Sequence, residues 1–262
     1  MQAFAYHTPS SVADAAAAGM TADARLLAGG QSLIPSMKLG LSAPSALVDL
    51  GGIAALKGIT VASGTVTIGA ATTHAAVAAS AEVQAAIPAL ADLAGRIGDR
   101  QVRNRGTIGG SLANNDPAAC YPAAVLGLGA TVHTNSRTIA ADDFFLGLYT
   151  TALAEGEIIT AVSFPIPAKA AWQKFKQPAS RFSLVGVFVS HGAGGVRVAV
   201  TGAGAVVYRE SGLETKLAAD WSAAALAGAT VSADGLNNDL HGSAEYRAAL
   251  IPVLAGRAVA AS

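Results

Sequence analysis

Two glycine-rich segments constrain this chain most: Ala28-Gly29-Gly30-Gln31-Ser32-Leu33-Ile34 and Thr107-Ile108-Gly109-Gly110-Ser111-Leu112-Ala113-Asn114-Asn115-Asp116-Pro117. Each joins an apolar, strand-like run to a helix-like run, and each is poor in cationic side chains. Backbone N–H groups that converge in such a turn form a nest for an anion. Two nests suit one long ligand with a pyrophosphate in its middle, which is the shape of a dinucleotide. Taken singly, the first segment reads equally well as a strand–helix turn in which glycine relieves crowding. The second carries more, because the Ser111 hydroxyl and the Asn114 amide add side-chain donors to the backbone amides.

The flanking pattern divides the chain into three expected units: residues 1–56, 57–167 and 168–262. In the first, Ser10 or Ser11 caps a helix through Gly19, with Asp14 supporting the cap. Arg25–Ala28 reads as a strand entering the first Gly-Gly turn. Ser32 then caps a short helix, with Pro35 in its first turn and Gly40 at its end. Ala46–Leu50 reads as a strand. In the second unit, strands are expected at 58–61 and 66–68, a helix from His74 behind Thr72 or Thr73, and a helix over Pro88–Ile97. An Arg-rich loop (Arg96, Arg100, Arg103, Arg105) leads to the second nest. Asp116-Pro117 reads as a helix start, Asp as N-cap and Pro as first helical residue. Strands follow near 130–134 and 157–164, and Pro165 and Pro167 mark a linker. The third unit offers strands at 172–176, 183–190 and 196–201, then helices near 215–226 and 243–260.

With 262 residues the chain can bury a substantial core. Mean hydropathy is +0.45, much of it from Ala. The longest uncharged stretch, Pro117–Ser136, holds two Pro and two Gly and reads as a buried helix then a strand, not a membrane span. Met1-Gln2-Ala3-Phe4 shows no signal-peptide character, so the cytoplasm is expected. Seventeen basic residues balance seventeen acidic ones, which argues against a nucleic-acid partner. The sole cysteine, Cys120, excludes an intrachain disulfide, a CxxC zinc site and a cysteine-held iron–sulfur cluster within the chain. Two readings stand for it: a buried inert thiol, or a thiol that faces the ligand one turn from the nest.

Competing signatures are missing. Gly202-Ala203-Gly204 follows a strand but lacks the third glycine of GxGxxG, and there is neither GxxxxGK[ST] nor GxSxG. The five histidines show no HExxH spacing and are assigned structural or surface roles. No catalytic residue and no metal ligand is predicted.

Together these residues resemble the FAD-binding medium subunit of the molybdenum hydroxylases, the family of carbon monoxide dehydrogenase and xanthine dehydrogenase. The landmarks are AGGQSLIPSMKL at 28–39, IGDRQVRNRGTIGGSLANNDPAACYPA at 97–123, Asp143-Phe144-Phe145, Glu157-Ile158-Ile159, KQPASRFSLVGV at 176–187 and GSAEYR at 242–247. The resemblance implies an α+β fold of the PCMH/vanillyl-alcohol-oxidase type, two subdomains holding FAD between them and a C-terminal antiparallel sheet with helices over part of the flavin. It implies that Ala28, Gly29, Gly30, Gln31, Ser32, Leu33 and Ile34 wrap the pyrophosphate from one side. Thr107, Gly109, Gly110 and Ser111 bind from the other, with Asn114, Asp116 and Cys120 toward the ribityl and ring portion. Lys176 and Phe182 reach the flavin from the third unit. The family often has His at the position of Gln31 and Asp at that of Cys120, so a carboxylate contact is missing here. The chain also lacks the cysteines with which some members hold an extra cluster.

The implied role is electron transfer in a heterotrimer. A large subunit with the molybdopterin cofactor oxidises the substrate, and a small subunit passes electrons through two [2Fe-2S] clusters to FAD on this chain. FAD then serves an external acceptor, and the assembly is expected to be a dimer of heterotrimers. Two other readings stand beside it: a self-sufficient FAD-dependent oxidoreductase with Tyr121 or Tyr149 as proton donor, and a nucleotide-sensing scaffold without redox cycling.

Overall fold

A computed structural model describes residues 2–262 of the chain. The N-terminal strand β1 (Ala5–His7) leads to α1 (Val12–Gly19), capped by Ser11, whose Oγ accepts the Asp14 amide. Next come β2 (Ala24–Leu27), α2 (Leu33–Lys38) and β3 (Ala46–Asp49). The three strands form a parallel sheet with β3 in the centre, as a strand–helix–strand crossover requires. Central β3 buries Ala46, Leu47 and Val48.

The next sheet is antiparallel. It is built from β4 (Ile59–Ala62) and β5 (Thr65–Gly69), and is completed after a run of helices: α3 (His74–Ala79), α4 (Ala81–Ala86), α5 (Pro88–Gly95), α6 (Arg100–Arg105), α7 (Ile108–Asn114) and α8 (Tyr121–Gly127). Then follow β6 (Thr131–Thr134), β7 (Thr138–Ala140), the short α9 (Ala141–Phe144), the hairpin β8 (Phe145–Gly147) with β9 (Thr150–Thr151), and β10 (Ile159–Pro165). The strand order is β4-β5-β10-β6-β7. Val66, Ile68, Val132, Val162 and Phe164 alternate onto one face, where they meet buried side chains of α5, α7 and α8.

The last sheet, β11 (Lys169–Lys176), β12 (Ser183–Gly192), β13 (Gly195–Thr201) and β14 (Tyr208–Arg209), is antiparallel and is followed by α10 (Ser211–Ala219) and α11 (Ala244–Ala260). Its central strand β12 is buried from Ser183 through Ser190, because both faces are covered. Val185, Val187 and Val189 face Leu213, Leu217, Ile251 and Leu254, whereas Phe188 and Trp172 join the core around α8. A Cβ on Gly186 would overlap the Trp172 ring. Arg247, 3% exposed, fastens α11 to the sheet through the carbonyls of Leu184 and Gly202, at 2.8 and 3.0 Å, and through Asp239. Among the described residues no helix is long and apolar enough to cross a membrane.

Four local expectations need correction. Asp116-Pro117 does not start a helix: the segment turns, with Asp116 Oδ1 accepting the Ala118 amide at 2.8 Å, and α8 begins at Tyr121 with Cys120 in the N-cap position. The carbonyls that would have accepted the first helical bonds are taken from outside. Gly202 N donates to Pro117 O, and Thr201 Oγ1 donates to both Pro117 O and Ala119 O. The Arg-rich segment is not a loop but the helix α6, N-capped by Asp99. Ser32 holds the N-cap position of α2 without a side-chain cap bond. The helix expected over 215–226 is α10 plus a separate 3₁₀ turn at Ala224–Leu226.

Candidate functional site

A cleft of about 620 Å³ opens between the turn after β2, the helix α7, the 116–120 turn and the end of β11 with the turn beyond it. The first glycine motif forms one wall. Its amides from Gly29 to Leu33 find no acceptor among the described residues, and the first bond of the helix that follows runs from Ile34 N to Gly30 O at 3.2 Å. Gly30 makes this possible at φ +72°, a left-handed conformation that would strain a residue bearing Cβ. Gln31 Nε2 donates to Gly29 O at 3.0 Å and braces the turn. The result is a row of five free N–H donors bordering the cleft, the arrangement an anion requires.

The second motif is different from its sequence reading. Gly109 and Gly110 lie inside α7 and not in a free turn, and their amides already have partners. Ile108 N donates to Thr72 O, Gly109 N to Ala70 O at 2.8 Å, Gly110 N to the capping Thr107 Oγ1 at 3.1 Å, and Ser111 N to Thr107 O. The glycines here serve close approach of protein to protein: a Cβ on Gly109 would come within 2.6 Å of Ala70 Cβ, and one on Gly110 within 3.3 Å of Ala28 Cβ. Gly29 in turn abuts the carbonyl of Arg105 and the Cα of Gly106. The two motifs thus press against each other and form one continuous wall. What α7 offers the cleft is side chains, the Ser111 hydroxyl and the Asn114 amide, neither of which bonds to another described residue.

Of the residues singled out in sequence, Ala28, Gly29, Gly30, Gln31, Ser32, Leu33, Thr107, Gly109, Gly110, Ser111, Asn114, Asp116, Cys120 and Phe182 line the cleft. Ile34 does not; its side chain lies behind the turn, against Gly30. Lys176 does not either, since it ends β11 as an exposed residue. The amine at the cleft is Lys174, two residues earlier and 8% exposed. Its Nζ donates to Arg96 O at 2.9 Å and Arg181 O at 2.8 Å, and lies 3.4 Å from Cys120 Sγ. Lys174 therefore ties the end of α5, the 177–182 turn and Cys120 into the same wall. The period-two alternation of β11 is the signal that separates Lys174 from Lys176 only once the partner strand β12 shifts register beside Lys176.

Cys120 is buried, as the first of its two sequence readings has it, and it also borders the cleft. Its nearest polar neighbours are the Lys174 amine and, at 3.6 Å, Ser183 Oγ. His74, assigned to the background in sequence, lines the cleft floor. Burial, aided by the charge of Arg103, lowers its pKa to about 4, so the imidazole is neutral at pH 7. Glu157 also borders the cleft but is fully engaged: Arg137 holds its carboxyl well below the usual range, helped by the Ala154 amide and the Thr134 and Ser136 hydroxyls. Asn115, in the left-handed region, gives its amide to the carbonyls of Gly147 and Thr150 and so anchors the β8–β9 hairpin. Tyr121 is fully buried beneath the floor, and Tyr149 is 58% exposed on that hairpin.

A family described as the FAD binding domain in molybdopterin dehydrogenase matches residues 2–167. The whole chain is similar to the medium chain of carbon monoxide dehydrogenase from Hydrogenophaga pseudoflava, 36% identical over an alignment that spans 99% of this chain and 96% of that one. It is likewise similar to the medium subunit of nicotine 6-hydroxylase from Paenarthrobacter nicotinovorans, 35% identical across 99% of this chain and 97% of the relative. Among solved structures, a chain of quinoline 2-oxidoreductase from Pseudomonas putida 86 superposes with a TM-score of 0.89 at 30% identity, covering 99% of this chain and 96% of its own.

Proposed function

The chain belongs to the family of FAD-binding domains of molybdopterin dehydrogenases, and on that premise we propose that it is the electron-transfer subunit of a heterotrimeric molybdenum hydroxylase. It is an oxidoreductase component of the medium-subunit class, with a fold of the PCMH type. The row of free amides from Gly29 to Leu33 carries the reading of the site. A pyrophosphate needs free donors without a carboxylate among them, and residues 28–34 offer five amides with no acceptor among the described residues and no Asp or Glu.

The residues present fit a dinucleotide along the rest of the cleft. Ala28 through Ser32 take the pyrophosphate, with Ile34 wedging the turn from behind. Ser111 and Asn114 donate to ribityl or ring oxygens, while Thr107, Gly109 and Gly110 hold that wall in place. Asp116, Cys120 and Phe182 border the ring end, and Lys174 fills the role that the resemblance gave to Lys176. FAD, when bound, supplies the redox chemistry by taking up electrons and giving them back. The chain's own groups bind, orient and exclude water, and none of them is required to move a proton.

Electrons enter from the [2Fe-2S] clusters of a small partner subunit, fed by the molybdopterin site of a large one, and leave to an external acceptor. The three expected units of this chain, 1–56, 57–167 and 168–262, each carry one of the main sheets. The assembly is a dimer of heterotrimers on this reading. The test is gentle purification from the native host, followed by an absorption spectrum and metal analysis. FAD, iron, molybdenum and two co-purifying chains are expected. A single chain with FAD that turns over an organic substrate alone would overturn the electron-transfer role, and a folded chain that takes up no FAD would overturn the site.

A further inference from the structure

Beneath the cleft floor, two buried polar atoms lack any partner among the described residues: Nδ1 of His74 and the hydroxyl of Tyr121. Their rings are neighbours, with centroids 5.3 Å apart at an interplanar angle of 49°. His74 is 5% exposed and Tyr121 has no exposed surface. Orphaned buried groups are costly, and native structures rarely keep them. These two are chemically complementary, since a phenol O–H donates and an unprotonated imidazole nitrogen accepts.

The backbone holds the imidazole in place. His74 N donates to Gly106 O at 2.9 Å, and Thr73 pairs with Thr107 in an isolated antiparallel bridge. His74 lines the cleft while its Nδ1 has no accessible surface, so the ring edge reaching the cleft is that of Nε2. Nε2 has no partner among the described residues either, and it lies beside Gly106, within 2.6 Å of where a Cβ on that glycine would be.

We propose that Tyr121 and His74 form a neutral relay, Tyr121 O–H to Nδ1, which fixes His74 as the Nε2–H tautomer and aims that N–H at an acceptor oxygen of the dinucleotide in the cleft. The opposite tautomer would direct Nδ1–H to the phenol oxygen and leave the buried O–H with no acceptor. Burial keeps the ring uncharged at neutral pH, so a single donor and a single acceptor are available, as the relay needs. His74 is thereby a cofactor-positioning residue rather than a core histidine. The donor half of the proposal rests on the cleft being the FAD site.

The test uses the full chain labelled with ¹⁵N-histidine. Long-range ¹H–¹⁵N spectra of the FAD-free protein report the His74 tautomer whether or not FAD binds. The expected result is the Nε2–H pattern in the wild type and its loss in Tyr121→Phe. FAD titration should then show about tenfold weaker binding for His74→Leu, and less than about threefold for His74→Gln, whose amide still donates. Melting curves confirm that each variant is folded, and His74→Gln supplies a conservative comparison if His74→Leu is not. An Nδ1–H tautomer in the wild type overturns the relay. Wild-type FAD affinity in folded His74→Leu, or an Nε2–H tautomer in a wild-type chain that binds no FAD, overturns the donor role.

Discussion

Three glycines near the first motif separate backbone strain from loss of fit, and alanine at each yields graded outcomes. Gly40 has φ +73°, and a Cβ placed there would meet nothing within 4 Å, so Gly40→Ala costs only the strain of the left-handed conformation, about 1 kcal/mol. Gly30 has φ +72° and faces side-chain ends, Ile34 Cγ1 at 3.0 Å and Leu27 Cδ1 at 3.3 Å, which can yield. Gly30→Ala should cost about 1–2 kcal/mol. Gly29 has an ordinary φ, but its Cβ would overlap the Arg105 carbonyl oxygen and sit 2.6 Å from Gly106 Cα, both main chain. Relief to an ordinary contact requires the two backbones to part by roughly 1 Å, which places Gly29→Ala near or above ~3 kcal/mol. That displacement also moves the turn that carries the five free amides. Losing even one charge-assisted bond weakens binding by roughly tenfold or more. Urea denaturation followed by circular dichroism, paired with FAD titration, reads both effects. The ranking Gly29→Ala worse than Gly30→Ala worse than Gly40→Ala is expected in stability, with FAD affinity untouched only in Gly40→Ala. A Gly29→Ala protein as stable and as tight for FAD as Gly40→Ala would refute the close approach of the two motifs.

Ser111→Ala and Asn114→Ala should each weaken FAD binding about tenfold while leaving the melting temperature within ~2 °C, because neither side chain bonds to another described residue; a stability loss without a binding loss would reverse that assignment. His74 predicts a pH dependence. Its pKa is lowered from 6.5 to about 4 in the fold, so the unfolded chain binds the extra proton first as pH falls, and stability declines between about pH 6.5 and 4, by up to roughly 3 kcal/mol. His74→Gln should flatten the stability profile over that window in urea titrations. Glu157 works at lower pH: its depressed carboxyl stabilises the fold above about pH 4.5, and that contribution fades as pH drops further. Glu157→Gln should lower stability at pH 7 and lessen the acid sensitivity below about pH 4.5, as acid-induced unfolding curves will show. Arg247→Met leaves the buried Leu184 carbonyl unpaired and the Gly202 carbonyl with only the 3.3 Å bond from Asn237 Nδ2, and the screened, half-exposed Asp239 adds little, so about 2 kcal/mol of stability should be lost.

The order of strands and helices is readable in the chain where local chemistry is strong. Of the paired cap candidates, Ser11 and Thr73 are the residues that cap their helices. The helix over Pro88–Gly95 and the double-faced run of β12 follow from apolar periodicity. The clearest failure comes from long-range bonding that overrides a local preference. Asp116-Pro117 has strong helix-start chemistry, yet the Thr201 hydroxyl and Gly202 amide claim the carbonyls that a helix would have used. More than eighty residues of chain separate those partners, and no local pattern reports the meeting.

The candidate site divides along the same line. Sequence alone determined that the chain carries two glycine motifs, each between a strand-like and a helix-like run, and that a lone cysteine cannot hold an iron–sulfur cluster within the chain. These are properties of residue identity and spacing. Only the tertiary structure decided that the first motif keeps its amides free while the second commits its own to Thr72, Ala70 and Thr107. It also decided that Lys174, not Lys176, meets the cleft, and that His74 lies at the floor beside an unpaired tyrosine. A backbone amide is the same donor in every glycine; whether it is free depends on which carbonyl the fold brings within about 3 Å, and that is settled by packing between distant segments.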